Sequence, residues 1–496
     1  MNRHEPRLLA EQALDVRPFA GALPGGEEAR GFSAAVVSGI AQLLEALLLA
    51  GLGAILYAFY VRSGADMLYV SCVVATVALF NVAVNAVGMH KVSAYRTMIE
   101  QVGRVLSAWT VVFLALIAFA FALKVSDAYS RVWMVGWYFG GAGCLLAFRL
   151  GLRALVLRWT HEGRLRRRTA IVGGATEAKA LIGAIEASAY NDIQLLGLFD
   201  DRDEKRSPGR VGIYPKLGKV ADLVDFARRT RLDLVIVALP LAAETRVLQM
   251  LKQLWVLPVD IRLSAHASKL RFKSRAYSYL GSVPVLDVID KPISDWNVVL
   301  KWLFDKTVAI AALIALSPLM IGVAFAIKLT SNGPVLFRQK RHGFNNELIE
   351  IFKFRSMHVD MTDEEAVSLV TRDDPRVTPI GRFIRKTSID ELPQLFNVLM
   401  GELSIVGPRP HALQAKAADT LYHEAVDGYF ARHRVKPGMT GWAQINGWRG
   451  ETDTLEKLMG RVDHDLYYIE NWSILLDLYI LLMTPFALFG KNGNAY

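Results

Sequence analysis

The chain has 496 residues, room for two or three domains, with 53% hydrophobic residues, 21% charged residues and a formal net charge of +10. Its mean hydropathy of +0.28 is more apolar than soluble globular chains carry, so lipid is expected to solvate part of it. Two cysteines, Cys72 and Cys144, both inside apolar runs, exclude a disulfide framework and a zinc-ligand spacing. The basic excess fits Lys and Arg held on the cytoplasmic side of a membrane, or anionic phosphate ligands, and no basic stripe with interleaved aromatics points to nucleic acid.

Residues 1–30 are polar and rich in Pro, Gly and charge. They read as a disordered N-terminal tail with no cleavable signal. Residues 31–160 hold four apolar stretches, bounded by Arg30 and Arg62, Asp66 and His90, Arg104 and Lys124, and Arg131 and Arg149. Each is near the ~20 residues a helix needs to cross the hydrocarbon core, which predicts a four-helix transmembrane bundle. The connection with Lys91, Arg96 and Arg104 is basic, as is the segment with Arg153, Arg158, Arg164, Arg166, Arg167 and Arg168. The connections at 62–66 and 124–131 are shorter and less basic. That asymmetry places the N-terminus, and everything after Arg149, in the cytoplasm. Glu45 lies inside the first stretch. An intramembrane carboxylate can be functional, but burial against a neighbouring helix or near the interface is the preferred reading.

Residues 161–290 change to the pattern of an α/β domain. Strands are expected at 169–172, 195–199 and 232–238, and helices at 177–187 and 219–230. The alternation predicts a parallel, doubly wound, Rossmann-like sheet. The first strand–helix turn carries Gly173 and Gly174 but lacks the later glycines of a dinucleotide fingerprint, and Glu177 puts negative charge where a pyrophosphate would lie. The domain is therefore a degenerate one, structural or regulatory in role.

The apolar run 307–327 is flanked by Lys301 and Lys306 on one side and by Lys328, Arg338, Lys340 and Arg341 on the other. Both ends look cytoplasmic. Ser317 and Pro318 lie in its middle, where proline removes a backbone donor and serine can satisfy the released carbonyl. We expect a helix–break–helix over 299–328 that enters the membrane and returns, within a catalytic domain of residues 291–496. A proline-kinked full span is the alternative.

Several polar motifs follow. Lys353 and Arg355 alternate with Phe352 and Phe354, so on a strand two cations share one face as candidate phosphate ligands. Arg376, Arg382, Arg385 and Lys386 form a cationic stretch suited to a lipid phosphate. In the run from Asp390 and Glu391 to Pro393, the proline is tolerated only in a first turn, so a helix starts near 389–390 with Leu392, Leu395, Phe396 and Leu399 as its buried stripe. Both carboxylates then sit at a helix N-terminus, where they are either caps or a nucleophile beside a metal ligand. Pro408 and Pro410 fix the backbone around Arg409 for bidentate phosphate or uracil recognition. Around Gln444, Asn446 and Arg449, four glycines allow close backbone approach to a ligand, or a structural hairpin. Asp463, His464 and Asp465 are read as surface residues, because the two Asp fall on different helix faces.

Taken in order over about 200 residues, these motifs closely resemble those of the bacterial polyprenyl-phosphate sugar-1-phosphate transferases, the monotopic phosphoglycosyl transferase family. They comprise Ser317 and Pro318, the runs at 352–357 and 390–395, 407–410, and 436–447. The four apolar stretches and the Rossmann-like domain resemble the long form of that family. The resemblance implies that Asp390 attacks the β-phosphorus of a UDP-sugar and expels UMP, that Glu391 binds Mg²⁺, and that undecaprenyl phosphate then takes the sugar phosphate. It also implies a re-entrant helix on the inner membrane with the catalytic domain facing the cytoplasm, the first step of exopolysaccharide, capsule or O-antigen assembly, and a homodimer. The runs at 284–297 and 433–452 resemble the glucose-1-phosphate subgroup, with galactose 1-phosphate as the other reading. Without the resemblance, a membrane-bound nucleotide-sensing regulator and a glycosyltransferase that releases UDP remain open.

Overall fold

The computed structural model describes residues 33–61, 67–90, 92, 94–96, 98–173, 175–187, 193–202, 209–239, 244–264, 278–280, 283–359, 374–411, 416–417, 420–426, 428–450 and 454–489. The tail at 1–30, the connection at 62–66, Lys91 and Gly174 lie outside the described residues.

Four apolar helices open the chain: α1 (Ala34–Tyr60), α2 (Met67–Ala86), α3 (Met98–Ala122) and α4 (Arg131–His161). Each is long and apolar enough to cross a membrane. Helix α1 contacts α2 and α4, and α3 contacts the same two. Trp109, Trp133 and Trp137 fill the space between them, and their indole N–H groups donate to the carbonyls of Tyr138, Gly53 and Leu49 at 3.0, 2.9 and 2.9 Å. Glycine makes room for the rings: a Cβ on Gly141 would stand 2.6 Å from Trp109. Glu45 is fully buried, as the preferred reading held. Arg149 of α4 donates to it at 2.8 Å, and His90 stands 3.0 Å from it.

The second unit is an eight-stranded mixed sheet in the order β3-β4-β2-β1-β5-β6-β8-β7. Its strands are β1 (Arg167–Val172), β2 (Ile193–Phe199), β3 (Arg210–Val211), β4 (Tyr214–Gly218), β5 (Leu234–Val237), β6 (Asp260–Ser264), β7 (Ser278–Leu280) and β8 (Val283–Ile289). The central strands β4, β2, β1, β5 and β6 pair in parallel, as expected, and the two edges add antiparallel hairpins. Helix α5 (Ala175–Glu186) packs on one face, with α6 (Val220–Arg229) and α7 (Glu244–Leu254) on the other. Gly173, at φ +133°, is required where β1 ends, because a Cβ there would meet the Ala238 carbonyl at 2.4 Å. This glycine serves backbone packing.

Helix α8 (Asp295–Thr330) is one uninterrupted helix of 36 residues. The sequence reading expected two helices separated by a break. Pro318 leaves the Ile314 carbonyl without its backbone donor, and Ser317 Oγ donates to that carbonyl at 2.9 Å, so the helix continues through it. Both halves of α8 pack on the same following domain. Lys301 and Asp305 engage β11 (Ser404–Val406), while Met320, Val323 and Ile327 pack against Phe354 and Ile384. At its base, Lys301 Nζ donates to Asp477 Oδ2 at 2.6 Å and to the Val406 carbonyl at 2.9 Å, and Tyr468 joins both.

That domain contains the antiparallel hairpin β9 (Leu336–His342) and β10 (Leu348–Phe354), then α9 (Pro379–Lys386) and α10 (Gln394–Met400). A short pair β12 (Lys416–Ala417) and β13 (Thr420–Leu421) and the turn α11 (Tyr422–Ala425) follow. Strand β14 (Gly438–Thr440) pairs in parallel with β11, and α12 (Trp442–Ile445), α13 (Leu455–Glu470) and the apolar α14 (Ile474–Phe489) complete it. Leu395, Val398, Leu403, Ile405, Val406 and Ile480 form the core under the motifs.

Candidate active site

Pro393 sits at the N-cap of α10, and Asp390 and Glu391 occupy a 3₁₀ turn, Ile389–Glu391, just before it. The helix therefore starts about one turn later than expected. The buried stripe also differs: Leu395 and Val398 are buried, Leu392 and Leu399 partly so, and Phe396 is exposed. Asn397 takes the buried face because it joins α10 to β10. It accepts from Phe352 N at 2.9 Å and donates to the Glu350 carbonyl at 2.6 Å. Lys306 of α8 donates to the Val398 and Leu399 carbonyls, where a helix C-terminus favours a cation. The turn is entered through Ser388 at φ +58°, a left-handed conformation that costs a non-glycine residue roughly 1–3 kcal/mol and clusters at functional sites.

Glu391 is held by two cations. Arg409 forks onto both carboxylate oxygens at 2.6 and 3.0 Å, and Lys353 Nζ lies 2.9 Å from Oε1. Burial works to raise this carboxyl, but Arg409 and Lys353 outweigh it and hold it well below the usual range. Asp390 is also buried, and its carboxylate has no hydrogen-bond partner among the described residues. Burial, and then the negative charge of Glu391, push its pKa up to about 6. Two adjacent carboxylates are thus set apart: one clamped with a lowered pKa, the other unclamped with a raised pKa.

The expected ligands divide in the same way. Arg449 reaches the site, donating to Ser388 Oγ at 2.6 Å. Arg385 lies close enough to lower the Asp390 carboxyl, opposing burial. Arg355 does not point there. It is 4% exposed and ties down the end of α8, donating to the Ser331 carbonyl and hydroxyl at 3.0 and 2.9 Å. Arg376 is bound by Asp374, two residues upstream, through Nη2 at 2.6 Å. Arg382 is exposed on α9. Gln444 and Asn446 donate to their own segment, to the Met439 and Trp442 carbonyls at 3.4 and 2.8 Å. Pro408 and Pro410 do hold Arg409: the Pro408 carbonyl accepts from Gly438 N at 2.9 Å and the Pro410 carbonyl from Arg341 at 3.3 Å. The nearby glycines serve strand packing, since a Cβ on Gly438 would stand 2.1 Å from Gly407 N.

Four residues were missed. Arg341, Arg432, Arg461 and Asp465 are all buried or largely so behind Arg409. Arg432 Nη2 donates to the Arg409 carbonyl at 2.8 Å and to Asp465 Oδ2 at 2.6 Å. Asp465 is thus a buried counter-ion and not a surface residue. Burial, with Arg409 nearby, pushes Arg341 and Arg461 down to about 10, so both stay charged at neutral pH. The signal that could have found Arg461 and Asp465 is helical periodicity, because they share the buried face of α13 with Leu458, Val462 and Ile469. Seven cations (Arg341, Lys353, Arg385, Arg409, Arg432, Arg449 and Arg461) thus gather around Asp390, Glu391 and Asp465, an excess that calls for an anionic ligand.

Known proteins resemble the chain along most of its length. The family described as bacterial sugar transferase matches residues 296–491, and one described as a CoA-binding domain matches residues 85–265. An undecaprenyl-phosphate glucose phosphotransferase from Komagataeibacter xylinus is 44% identical over 336 residues, which is 67% of this chain and 61% of that protein. UDP-glucose:undecaprenyl-phosphate glucose-1-phosphate transferases from Klebsiella pneumoniae and Escherichia coli K12 are 36% and 37% identical. They match 79% and 75% of this chain and 82% and 77% of their own lengths.

Proposed function

The chain belongs to the bacterial sugar transferase family, and on that premise we propose that it transfers glucose 1-phosphate from UDP-glucose to undecaprenyl phosphate, releasing UMP. The observation that carries this reading is the split dyad: Glu391 clamped by Arg409 and Lys353 beside an unclamped Asp390, inside a cation-rich pocket.

In this mechanism an Asp390 carboxylate oxygen attacks the β-phosphorus of the donor. A bond forms between that oxygen and phosphorus, and the phosphorus–oxygen bond to UMP breaks. The phosphate oxygen of undecaprenyl phosphate then attacks the same phosphorus, and the acyl-phosphate bond breaks to return the carboxylate. Arg409, Arg449 and Lys353 would bear the charge that moves onto the departing phosphate. Placing the ionised Asp390 against the donor is their main task, because two anions otherwise repel.

Mg²⁺ would be held here by few protein groups. Among the described residues no group of three or more His, Cys, Asp or Glu could hold a metal. Mg²⁺ typically takes one or two carboxylates and completes its shell with water and substrate phosphates. Glu391, with Asp390 beside it, would hold it in exchange for contacts to Arg409 and Lys353, which would turn to the donor phosphates, and it would supply charge neutralisation to the diphosphate.

We read α1 to α4 as a transmembrane bundle of the bacterial inner membrane and α8 as a helix that does not cross. A straight α8 would be about 54 Å long, and gripping of both halves by one domain supports both ends lying on the cytoplasmic face. Exposed Ile314, Ile321, Phe325 and Leu329 on α8, Leu482 and Phe486 on α14, and Phe383 beside Arg382 on α9 fit a surface sunk in the inner leaflet. There a soluble donor and a lipid acceptor can meet. The functional test is to incubate membranes holding the chain with undecaprenyl phosphate, Mg²⁺ and UDP-glucose or UDP-galactose. UMP release with UDP-glucose supports the proposal, release only with UDP-galactose replaces the sugar, and UDP release overturns the reaction class.

A further inference from the structure

One short segment stands between the Rossmann-like domain and the site: the six-residue 3₁₀ helix Tyr429–Arg434, entered through Gly428 at φ +74°. Such runs seldom exceed three or four residues, and their side chains three apart eclipse one another, giving the helix three edges. Each edge here has its own partners.

Tyr429 and Arg432 form the edge facing the site. Tyr429 Oη lies 2.8 Å from His411 Nδ1, and Arg432 carries the hydrogen bonds to Asp465 and to the Arg409 carbonyl. Phe430 and His433 form the edge facing away. Their rings pack with His342, and the Arg228 guanidinium, at the end of α6, stands 5.2 Å over the Phe430 ring. His433 Nδ1 is hydrogen-bonded to Asn346, and its neighbour Asn345 donates to the Ala227 carbonyl of α6 at 3.0 Å. Ala431 and Arg434 form the third edge, from which Arg434 donates to the Asp290 carbonyl at 3.0 Å, just past β8. Trp255, just past α7, stands against Gly428 at the start of the helix.

A 3₁₀ helix of this length is poorly stabilised by its own hydrogen bonds, so packing on its edges sets its register. A rotation that loosens Phe430 from Arg228 also moves Arg432, and with it the Arg409 main chain. We propose that the Rossmann-like domain supports sugar-phosphate transfer by holding this helix in register, with Ala227 and Arg228 acting as positioning residues for Arg409 through Arg432. The domain thereby has a catalytic consequence without a nucleotide of its own. Any event that shifts α6 changes donor affinity, and donor binding at Arg409 biases α6 by the same factor. The inference rests on the proposed role of Arg409 toward the donor.

The test uses the full chain in membranes with two variants remote from the dyad. Asn345 has φ +52°, so Asn345→Gly keeps the backbone while deleting the contact with Ala227. Arg228→Ala deletes the contact with Phe430. Each is expected to raise KM for UDP-glucose about 3- to 10-fold, within the range of coupling through packed networks. The same substitutions in an Arg432→Lys background should have little further effect, because the two act through one connection. Wild-type KM in both variants overturns the inference, as does an equal fold-loss in both backgrounds. Wild-type chain that releases no UMP overturns the parent reading instead, which keeps the two failures apart.

Discussion

Asp390 and Glu391 are chemically alike and three bonds apart along the backbone, yet Arg409 and Lys353 clamp only Glu391, and we propose opposite tasks for the two. Asp390→Asn removes the attacking carboxylate, so UMP release and any sugar-phosphate adduct should fall by at least about 10³-fold in a turnover assay. In the proposed reaction ionised Asp390 is the reactive form, and burial raises its pKa to about 6. Hence kcat/KM should fall as pH drops through about 6 and level off above it. Glu391 raises that pKa and Lys353 lowers it. The acid limb should therefore move to lower pH in Glu391→Gln and to higher pH in Lys353→Met, and limbs that stay put would assign the limb to another group. That the pair lies just before a helix was legible in the sequence because Pro393 permits few backbone settings, whereas the division of roles between the two comes from the family resemblance. Arg355 and Arg376 were misread because a cation's partner is chosen by distant chain, the end of α8, or by an acid just outside the motif, Asp374.

Elements set the geometry that these residues share. Strands β11 and β14 approach closely enough that Gly407 and Gly438 touch backbone to backbone. Gly438→Ala should separate the strands and release Arg409. We expect a loss of donor affinity of 10-fold or more together with lower thermal stability, read by KM and by melting of the detergent-solubilised protein. Asn397→Leu keeps α10 apolar but strands Phe352 N and the Glu350 carbonyl, costing about 2–4 kcal/mol of stability. The Rossmann-like strands were legible because buried parallel strands are continuous apolar runs, such as 234–237. The unbroken path of α8 was not, because Ser317 repairs locally what Pro318 removes, and sequence alone does not say whether a repaired helix bends, breaks or continues.

At the scale of the whole molecule, the proposed reaction has apolar helices and a catalytic domain with a cation-rich site bring a water-soluble donor to a lipid acceptor. If α8 returns to the face it left, single cysteines at Asn297 and Asn332, in a background without Cys72 and Cys144, should both react with a membrane-impermeant maleimide from the cytoplasmic side. Labelling from opposite sides would make α8 a full span. The network of Lys301, Asp305, Asp477 and Tyr468 that ties this helix to β11 was invisible in the sequence, because its members come from three elements up to 176 residues apart. The proposed mechanism makes Asp390 a covalent carrier. The most direct measurement is a single-turnover reaction with UDP-glucose and Mg²⁺ but no undecaprenyl phosphate, followed by mass analysis of the peptide containing Asp390. A covalent carrier gives a burst of UMP matching enzyme concentration and a glucose-phosphate adduct on Asp390. UDP as the product, or UMP release with an unmodified Asp390, would contradict it.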